Sequence, residues 1–364
     1  MRWMQRDLAR RALATAIGTL AAFLMLEVAM RVVVAADPLP TTALGKAAQL
    51  NPPNPGKDCS APDETATLAH ILRPSSTPGL VYELKPNVLT CYRGARHQTN
   101  LDGQRARSFE PFARPKPAGV FRVLLLGDSY AYAQSVDYEA SFGAELERRL
   151  GARTASAKVE VINTGVPGYN TAQEATYLAA RGMAYQPDCI VILFVTNDLG
   201  LPYLMLEPRN PLSLRRSYVL ETLAPLWARF AGEIPVIPPG MTQAAARESN
   251  FVAEDELERI PGQYRYMVGV EGYRRALRAI AETAKGIPVI DVADYADVLG
   301  LRPADRVALA KFQEELGIHH AFVPIFRDKS LWIAEDDMHP NAKGHALLAE
   351  RVLYFMEERK LCLP

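Results

Sequence analysis

A serine, a histidine and two adjacent acidic residues could together perform nucleophilic catalysis. Ser129 ends a Gly-Asp-Ser stretch, and His339 ends an Asp-Asp-Met-His stretch. A hydroxyl becomes an effective nucleophile when a histidine takes its proton and a carboxylate fixes the histidine tautomer. Asp336, three residues before His339, can place its carboxylate beside the imidazole on a turn, and Asp337 is the alternative. Each stretch alone also fits an ordinary structural role, with Ser129 as a helix cap and the acidic stretch as a surface turn.

The elements that would position these groups are buried strands, each followed by a polar turn. Apolar runs at 123–126 and 189–195 have the length of fully buried strands, and a further strand is predicted at 159–163. Their alternation with helices indicates a parallel sheet covered on both faces. Ser129, Gly165 and Asn197 follow these strands, at the sheet edge where open α/β folds bind ligands. Further helices are predicted at 142–150, 171–183, 272–285, 303–316 and 341–359, a strand at 287–292 and a short apolar run at 321–326. The chain is therefore predicted to be an α/β protein.

Four short motifs in this order resemble those of the SGNH (GDSL-type) hydrolase superfamily. They are Gly-Asp-Ser at 127–129, a glycine loop at 165, Asn-Asp at 197–198 and Asp-x-x-His at 336–339. The resemblance is strong over about 119–200 and looser over 270–355. It departs from the superfamily at Val195, where a glycine is usual, and this side chain would narrow the pocket.

The resemblance implies a three-layer flavodoxin-like fold and a complete set of site residues. Ser129 would be the nucleophile, His339 the general base and Asp336 its orienting carboxylate. The oxyanion hole would consist of the backbone N–H groups of Ser129 and Gly165 and the side-chain amide of Asn197. Donors from three strand ends can converge on one developing oxyanion.

Composition excludes several other classes of function. The chain has 364 residues, 49% of them hydrophobic, and a formal net charge of +0. This balance argues against disorder and against electrostatic binding of nucleic acid. The acidic residues around His339 are too few for a metal site without distant ligands, and no Cys-x-x-Cys pair indicates structural zinc. No cofactor is expected.

The N-terminal 36 residues are predicted to be a signal anchor. Arg2, Arg6, Arg10 and Arg11 precede an apolar stretch, and residues 12–36 as a helix would span about 37 Å, enough to cross a bilayer. Glu27 and Arg31, four residues apart, can pair near the far interface. The arginines favour a cytoplasmic N-terminus with the rest exported. Val34-Ala35-Ala36 also resembles a signal-peptidase site, so a cleaved signal peptide is the alternative.

Export to an oxidising compartment makes the four cysteines informative. Cys59 and Cys91 both precede the predicted core, and a disulfide between them would contribute about 3–4 kcal/mol. Cys189 lies in an apolar run and is expected to be a packed core thiol. Cys362 lies in the tail.

The chain divides into three predicted parts. Residues 1–36 form the anchor, 37–118 a proline-rich spacer and N-terminal extension, and 119–364 the hydrolase domain. The domain carries an insertion at about 199–266, which fits no simple βα unit. A segment of this length beside an active-site edge is a lid, a specificity element or an irregular excursion.

These features predict an extracytoplasmic, membrane-anchored serine esterase that works through an acyl-enzyme. Its expected substrates are O-acylated envelope glycans or other small-molecule esters. Two alternatives remain: an O-acyltransferase that uses the same triad, and a non-catalytic envelope binding or assembly protein that keeps only the fold. The esterase and the acyltransferase would differ in whether the insertion at about 199–266 shields the acyl-enzyme from water.

Overall fold

The computed structural model describes residues 2–36, 66–206, 210–231, 236–238, 240–295, 298, 300–324 and 327–364. The proline-rich spacer predicted at 37–57 lies outside these ranges. The described strands are β1 (Leu72–Pro74), β2 (Tyr82–Leu84), β3 (Leu89–Tyr92), β4 (Ala95–Gln98), β5 (Val120–Gly127), β6 (Lys158–Asn163), β7 (Cys189–Leu193), β8 (Leu204–Leu206), β9 (Met241–Gln243), β10 (Val289–Val292), β11 (Ile318–Ala321), β12 (Trp332–Ala334) and β13 (Asp337–Pro340). The described α-helices are α1 (Arg2–Ala36), α2 (Leu68–Ile71), α3 (Ser129–Tyr132), α4 (Phe142–Gly151), α5 (Thr171–Ala180), α6 (Tyr218–Ala231), α7 (Gly269–Ala284), α8 (Pro303–Glu315) and α9 (Ala342–Arg359).

A five-stranded parallel sheet forms the centre of the fold. Its strand order is β11-β10-β7-β5-β6, which is the doubly wound order of flavodoxin-like folds. The chain winds from β5 to β6 in one direction and then returns past β5 to β7. The crevice at this reversal, beyond the carboxyl ends of β5 and β7, is where such sheets bind ligands. The prediction of an α/β fold with a parallel sheet is confirmed.

The side chains of β5 alternate between two cores, one on each face of the sheet. Leu124 and Leu126 join the core beneath α5 and α7, while Val123 and Leu125 join the core beneath α4 and α9. All four are at most 1% exposed. A strand covered on both faces needs an unbroken apolar sequence, which is why this run could be identified from the sequence.

The fifth strand of the sheet was not predicted. Strand β11 ends at Ala321, where the apolar run noted at 321–326 begins, and it contains His319 and His320. His320 Nε2 lies 3.0 Å from the carbonyl oxygen of Ala293, and its ring stacks on Tyr295. An edge strand tolerates such half-buried polar side chains because one side of it lacks a neighbouring strand.

A disulfide joins Cys189, at the start of β7, to Cys362 in the tail. The prediction that Cys189 is a free core thiol was therefore wrong. The tail turns back after α9, where the Leu361 N–H donates to the carbonyl of Met356, and this buries Cys362 against the sheet. Cys91 is also disulfide-bonded, but its predicted partner Cys59 lies outside the described residues.

The extension before the core forms two small hairpins that pack over the carboxyl edge of the sheet. Strand β1 pairs with β2, and β3 pairs with β4. The hydroxyl of Tyr82 in β2 donates to the carbonyl of Pro167, in the loop after β6, at 3.0 Å. The hairpins thereby lie close to the residues that follow the core strands.

Candidate active site

Ser129 is the first residue of the short helix α3, immediately after β5. Gly127 has a φ of +153°, and a Cβ there would lie 2.5 Å from the Cβ of Ala131, so the tight turn requires glycine. Asp128 caps the helix by accepting a hydrogen bond from the Tyr130 N–H at 2.9 Å. The turn therefore holds the Ser129 hydroxyl at the carboxyl end of the central strand.

His339 lies against this serine, although 210 residues separate them. Its Nε2 is 2.8 Å from the Ser129 hydroxyl oxygen, and its ring packs against Tyr130 with the ring centroids 4.7 Å apart. His339 belongs to β13, which pairs with β12 in an antiparallel hairpin ahead of α9. The structure thus brings the predicted nucleophile and base within hydrogen-bond distance.

Asp337, rather than the predicted Asp336, contacts His339. Oδ1 of Asp337 is hydrogen-bonded to Nδ1 of His339 and accepts the His339 N–H at 3.1 Å. The prediction assumed a turn, in which a spacing of three brings side chains together. The segment is instead a strand, in which residues two apart share a face. Asp336 falls in the hairpin turn and is exposed.

Arg93, in the turn between β3 and β4, holds the other oxygen of this carboxylate. Its Nη1 donates to Oδ2 of Asp337 at 2.9 Å. Although burial favours the neutral carboxyl, the hydrogen bonds and charge of His339 and the charge of Arg93 lower the pKa of Asp337. Asp337 is therefore ionised at neutral pH. Sequence analysis missed Arg93 because the contact spans 244 residues.

Gln134 is a second contact of His339 that the sequence did not indicate. Its amide nitrogen lies 2.8 Å from His339 Nε2, and the residue is only 4% exposed. With a proton on Nδ1 facing Asp337, Nε2 has one lone pair, for which Gln134 and Ser129 compete. The amide must turn or shift before Ser129 can give its proton to the imidazole.

Asn197 lies across the cavity from these residues, in a 3-10 turn after β7. One of its amide hydrogens is donated to the carbonyl of Tyr169 at 2.7 Å, which orients the side chain and leaves the second N–H for a ligand. The turn is braced by Asp198, whose carboxylate accepts from the Val195 N–H and from the Thr171 hydroxyl, each at 2.7 Å. Burial raises the pKa of Asp198 well above its ordinary value.

Gly165, predicted to supply a backbone donor to the site, does not line the cavity. The N–H of Gly165 donates to the side chain of Asn163 at 2.9 Å, and a Cβ there would lie 2.4 Å from the backbone nitrogen of Tyr132. Gly165 is thus packed beneath α3, where its N–H cannot face a substrate. Gly168, three residues later with a φ of +76°, lines the cavity instead, and its N–H has no acceptor among the described residues.

These groups surround an open cavity of about 570 Å³ whose wall combines three parts of the chain. The core contributes Ser129, His339, Val195 and Asn197. The extension contributes residues 66–68, 92 and 93, and the insertion contributes Tyr203, Val236 and residues 249 and 250. Val195, which replaces the usual glycine, lines this cavity as predicted. Within the part of the chain described, no three His, Cys, Asp or Glu side chains are placed to hold a metal ion.

Comparisons with known proteins give one matching family and several similar solved structures. Residues 125–347 match the model of the GDSL-like Lipase/Acylhydrolase family, and no curated protein shows a significant match. Among solved structures, the chain is similar to the esterase EstA from Pseudoalteromonas sp. (14% identity, 65% of this chain and 97% of that chain, TM-score 0.39). It is also similar to a lipase/acylhydrolase from Enterococcus faecalis (17% identity, 66% of this chain and 96% of that chain, TM-score 0.38). A third similar structure is the acetylxylan esterase Axe2 from Geobacillus stearothermophilus (16% identity, 64% of this chain and 93% of that chain, TM-score 0.38).

Proposed function

The chain belongs to the GDSL-like lipase/acylhydrolase family, and we propose that it is a serine esterase whose triad is Ser129, His339 and Asp337. The observation that carries this proposal is the relay of contacts from the serine hydroxyl to Nε2 of the imidazole and from Nδ1 to the carboxylate. Family membership makes a carboxylic ester hydrolase the expected class of enzyme, and the relay supplies the residues.

In the first half of the reaction, the Ser129 oxygen attacks the ester carbonyl and its proton moves to Nε2 of His339. Asp337 stabilises the imidazolium that forms, because its carboxylate faces the Nδ1 proton. When the tetrahedral intermediate collapses, His339 returns the proton to the departing alcohol. In the second half, water donates a proton to His339, attacks the acyl-enzyme and releases the acid.

The negative charge on the carbonyl oxygen would be stabilised by donors from three strand ends. We assign this role to the backbone N–H groups of Ser129 and Gly168 and to the amide of Asn197. Gly168 replaces Gly165 in this assignment because Gly165 N–H is already bonded to Asn163. Removing one such donor typically costs about 100- to 1,000-fold in turnover.

The proposed substrates are O-acylated glycans of the cell envelope or other esters of similar size. Two features support this choice: the cavity of about 570 Å³ is open, and the chain begins with a helix that could anchor it in a membrane. An O-acyltransferase is the second candidate. Its support is that the insertion, through Tyr203 and Val236, forms part of the cavity wall and so could restrict water.

Labelling with a fluorophosphonate tests the proposal without a substrate. The full chain, with its disulfides intact, is treated with the probe, and the adduct is located by mass spectrometry. We expect a single adduct on Ser129, its absence in Ser129→Ala and a rate at least 100-fold lower in His339→Ala. A folded protein that forms no adduct on Ser129 would refute the serine-enzyme proposal and favour a binding protein.

A further inference from the structure

Two charged residues in the apolar part of α1 contact another segment of the chain. Glu27 and Arg31 lie in the stretch Arg10–Ala35, which is long and apolar enough to cross a membrane. They are the two charged residues between positions 12 and 35. They pair with each other at 2.8 Å, as the sequence predicted. Both also reach the segment that leads into α6, in the insertion.

Glu27 caps the N-terminus of α6. Its carboxylate accepts hydrogen bonds from the Ser217 hydroxyl at 2.9 Å and from the N–H groups of Tyr218 and Val219 at 3.1 and 3.0 Å. The first N–H groups of a helix lack partners within the helix, and a carboxylate is well suited to satisfy them. A residue of α1 thus performs a role that usually belongs to the residue just before the helix.

Arg31 binds backbone carbonyl groups in the same segment, whereas Glu27 binds N–H groups. It donates to the carbonyls of Pro211, Ser213 and Arg216 at 2.7 to 2.8 Å. Exposed irregular backbone is not tolerated in the hydrocarbon of a bilayer, because nothing there can bond its polar groups. The two side chains together satisfy three carbonyls and two N–H groups of residues 211–219.

The outer side chains of this segment and of α6 are large, apolar and without cover. Leu212 is 84% exposed and Leu214 96% exposed, and α6 presents Leu220, Leu223 and Trp227 at 58%, 48% and 75%. The last three lie at positions i, i+3 and i+7, which form one stripe along a helix. Large apolar side chains that are exposed together on one segment mark a membrane or protein contact.

We propose that residues 211–227 form an interfacial arm that inserts this stripe into the outer surface of the bilayer spanned by α1. Arg31 lies 21 residues after Arg10, about 32 Å along the helix, so the arm contacts α1 where the hydrocarbon ends. This position favours a phospholipid bilayer as the contact partner, because the arm is hydrogen-bonded directly to the membrane helix. The contact between the arm and α1 also requires that α1 is retained in the mature protein rather than cleaved after Ala36.

The arm precedes a residue of the cavity wall in the sequence. Val236, which follows α6, lines the cavity and accepts a hydrogen bond from the Ala69 N–H at 3.3 Å. The contact with lipid does not depend on the esterase assignment.

A fluorescent label on the arm tests the proposal. The full chain carrying Leu214→Cys is labelled with an environment-sensitive nitrobenzoxadiazole dye and reconstituted into phosphatidylcholine–phosphatidylglycerol vesicles. The matched control is Val307→Cys, a 72% exposed apolar position on α8. We expect nitroxide lipids labelled near the headgroup to quench the dye at 214 at least threefold more than the dye at 307. Equal, solvent-like emission and quenching at both positions would overturn the proposal.

Native tryptophan fluorescence gives a second test if the labelled variants fold poorly. Brominated lipids should quench part of the emission of the unlabelled chain, and Trp227→Phe should remove about half of that quenchable part. Trp332→Phe, on the core domain, should leave it unchanged. If Trp227→Phe also leaves it unchanged, or if the purified chain begins after residue 36, the arm does not contact lipid as proposed.

Discussion

Replacing Asp337 by asparagine is expected to remove most of the turnover, whereas the same change in Asp336 is expected to leave it intact. The two residues are adjacent and chemically identical, so the pair of variants isolates position. Only Asp337 contacts the imidazole, while Asp336 is exposed in the hairpin turn. Each change removes one carboxylate from the same short segment.

The expected magnitude follows from the tautomer of His339. The amide of asparagine would present N–H to Nδ1 in its stable orientation, which favours the tautomer with a proton on Nε2. That proton would face the Ser129 oxygen, and the base would be lost. A triad whose aspartate becomes asparagine loses about 10,000-fold in kcat. Because Asp337 is partly open to solvent, we expect a loss of about 1,000- to 10,000-fold, or about 4–5 kcal/mol.

The assay is hydrolysis of p-nitrophenyl acetate, with phosphonylation of Ser129 measured in parallel. Both rates should fall in Asp337→Asn and neither should change more than twofold in Asp336→Asn. Circular dichroism and thermal unfolding establish that both variants are folded. A loss in Asp336→Asn with activity retained in Asp337→Asn would refute the reasoning and restore the spacing predicted from the sequence.

Three further variants test the site, the disulfide and a buried lysine. Asn197→Ala should lower kcat by about 100- to 1,000-fold with little change in KM, measured by steady-state hydrolysis, and a change in KM alone would contradict its role in the oxyanion hole. Cys362→Ser opens a loop of 173 residues and should lower the free energy of unfolding in urea by about 5 kcal/mol, while reduction of the wild type, which also opens the disulfide of Cys91, should lower it further. Burial and the charge of Arg73 lower the pKa of Lys85 from 10.5 to about 8. Between these two pH values the unfolded chain binds more protons than the folded chain, so the free energy of unfolding rises with pH. Lys85→Met should remove that rise, which is up to about 3 kcal/mol, from the pH dependence of urea unfolding, and parallel curves for both proteins would disprove it.

The central sheet could be predicted because its residues are determined locally. A parallel strand buried on both faces requires an uninterrupted apolar run, and the central strands β5 and β7 each have one. Strand β6, at the sheet edge, alternates polar and apolar residues. Strand β11 was not predicted, because its pair of histidines breaks the apolar pattern. The histidines are tolerated because β11 lies at the edge of the sheet. That position depends on how the whole chain folds and cannot be inferred from the segment alone.

The candidate site was predicted in its chemistry but not in all of its residues. Ser129 and His339 could be identified because each belongs to a motif next to a strand or helix. The choice between Asp336 and Asp337 depends on whether the segment is a turn or a strand, and the choice between Gly165 and Gly168 depends on the path of one loop beneath α3. Neither is encoded by local spacing.

Contacts across long stretches of sequence left no local signal at all. Arg93 binds Asp337 from the extension, and Cys189 bonds Cys362 from the other end of the domain. Such partners are brought together only by the assembled fold. A lone arginine on a hairpin turn resembles any other solvated surface residue.

The contact between Arg93 and Asp337 has a consequence for how the functional unit of this protein is delimited. Similarity to the family begins at residue 125, yet the carboxylate of Asp337 is held by a residue 32 positions earlier. A fragment cut at the family boundary would retain Ser129, His339 and Asp337 but lose this cation and one wall of the cavity. With the proposed triad, the extension belongs to the catalytic unit, and transplanting the activity onto another scaffold would require moving both segments together.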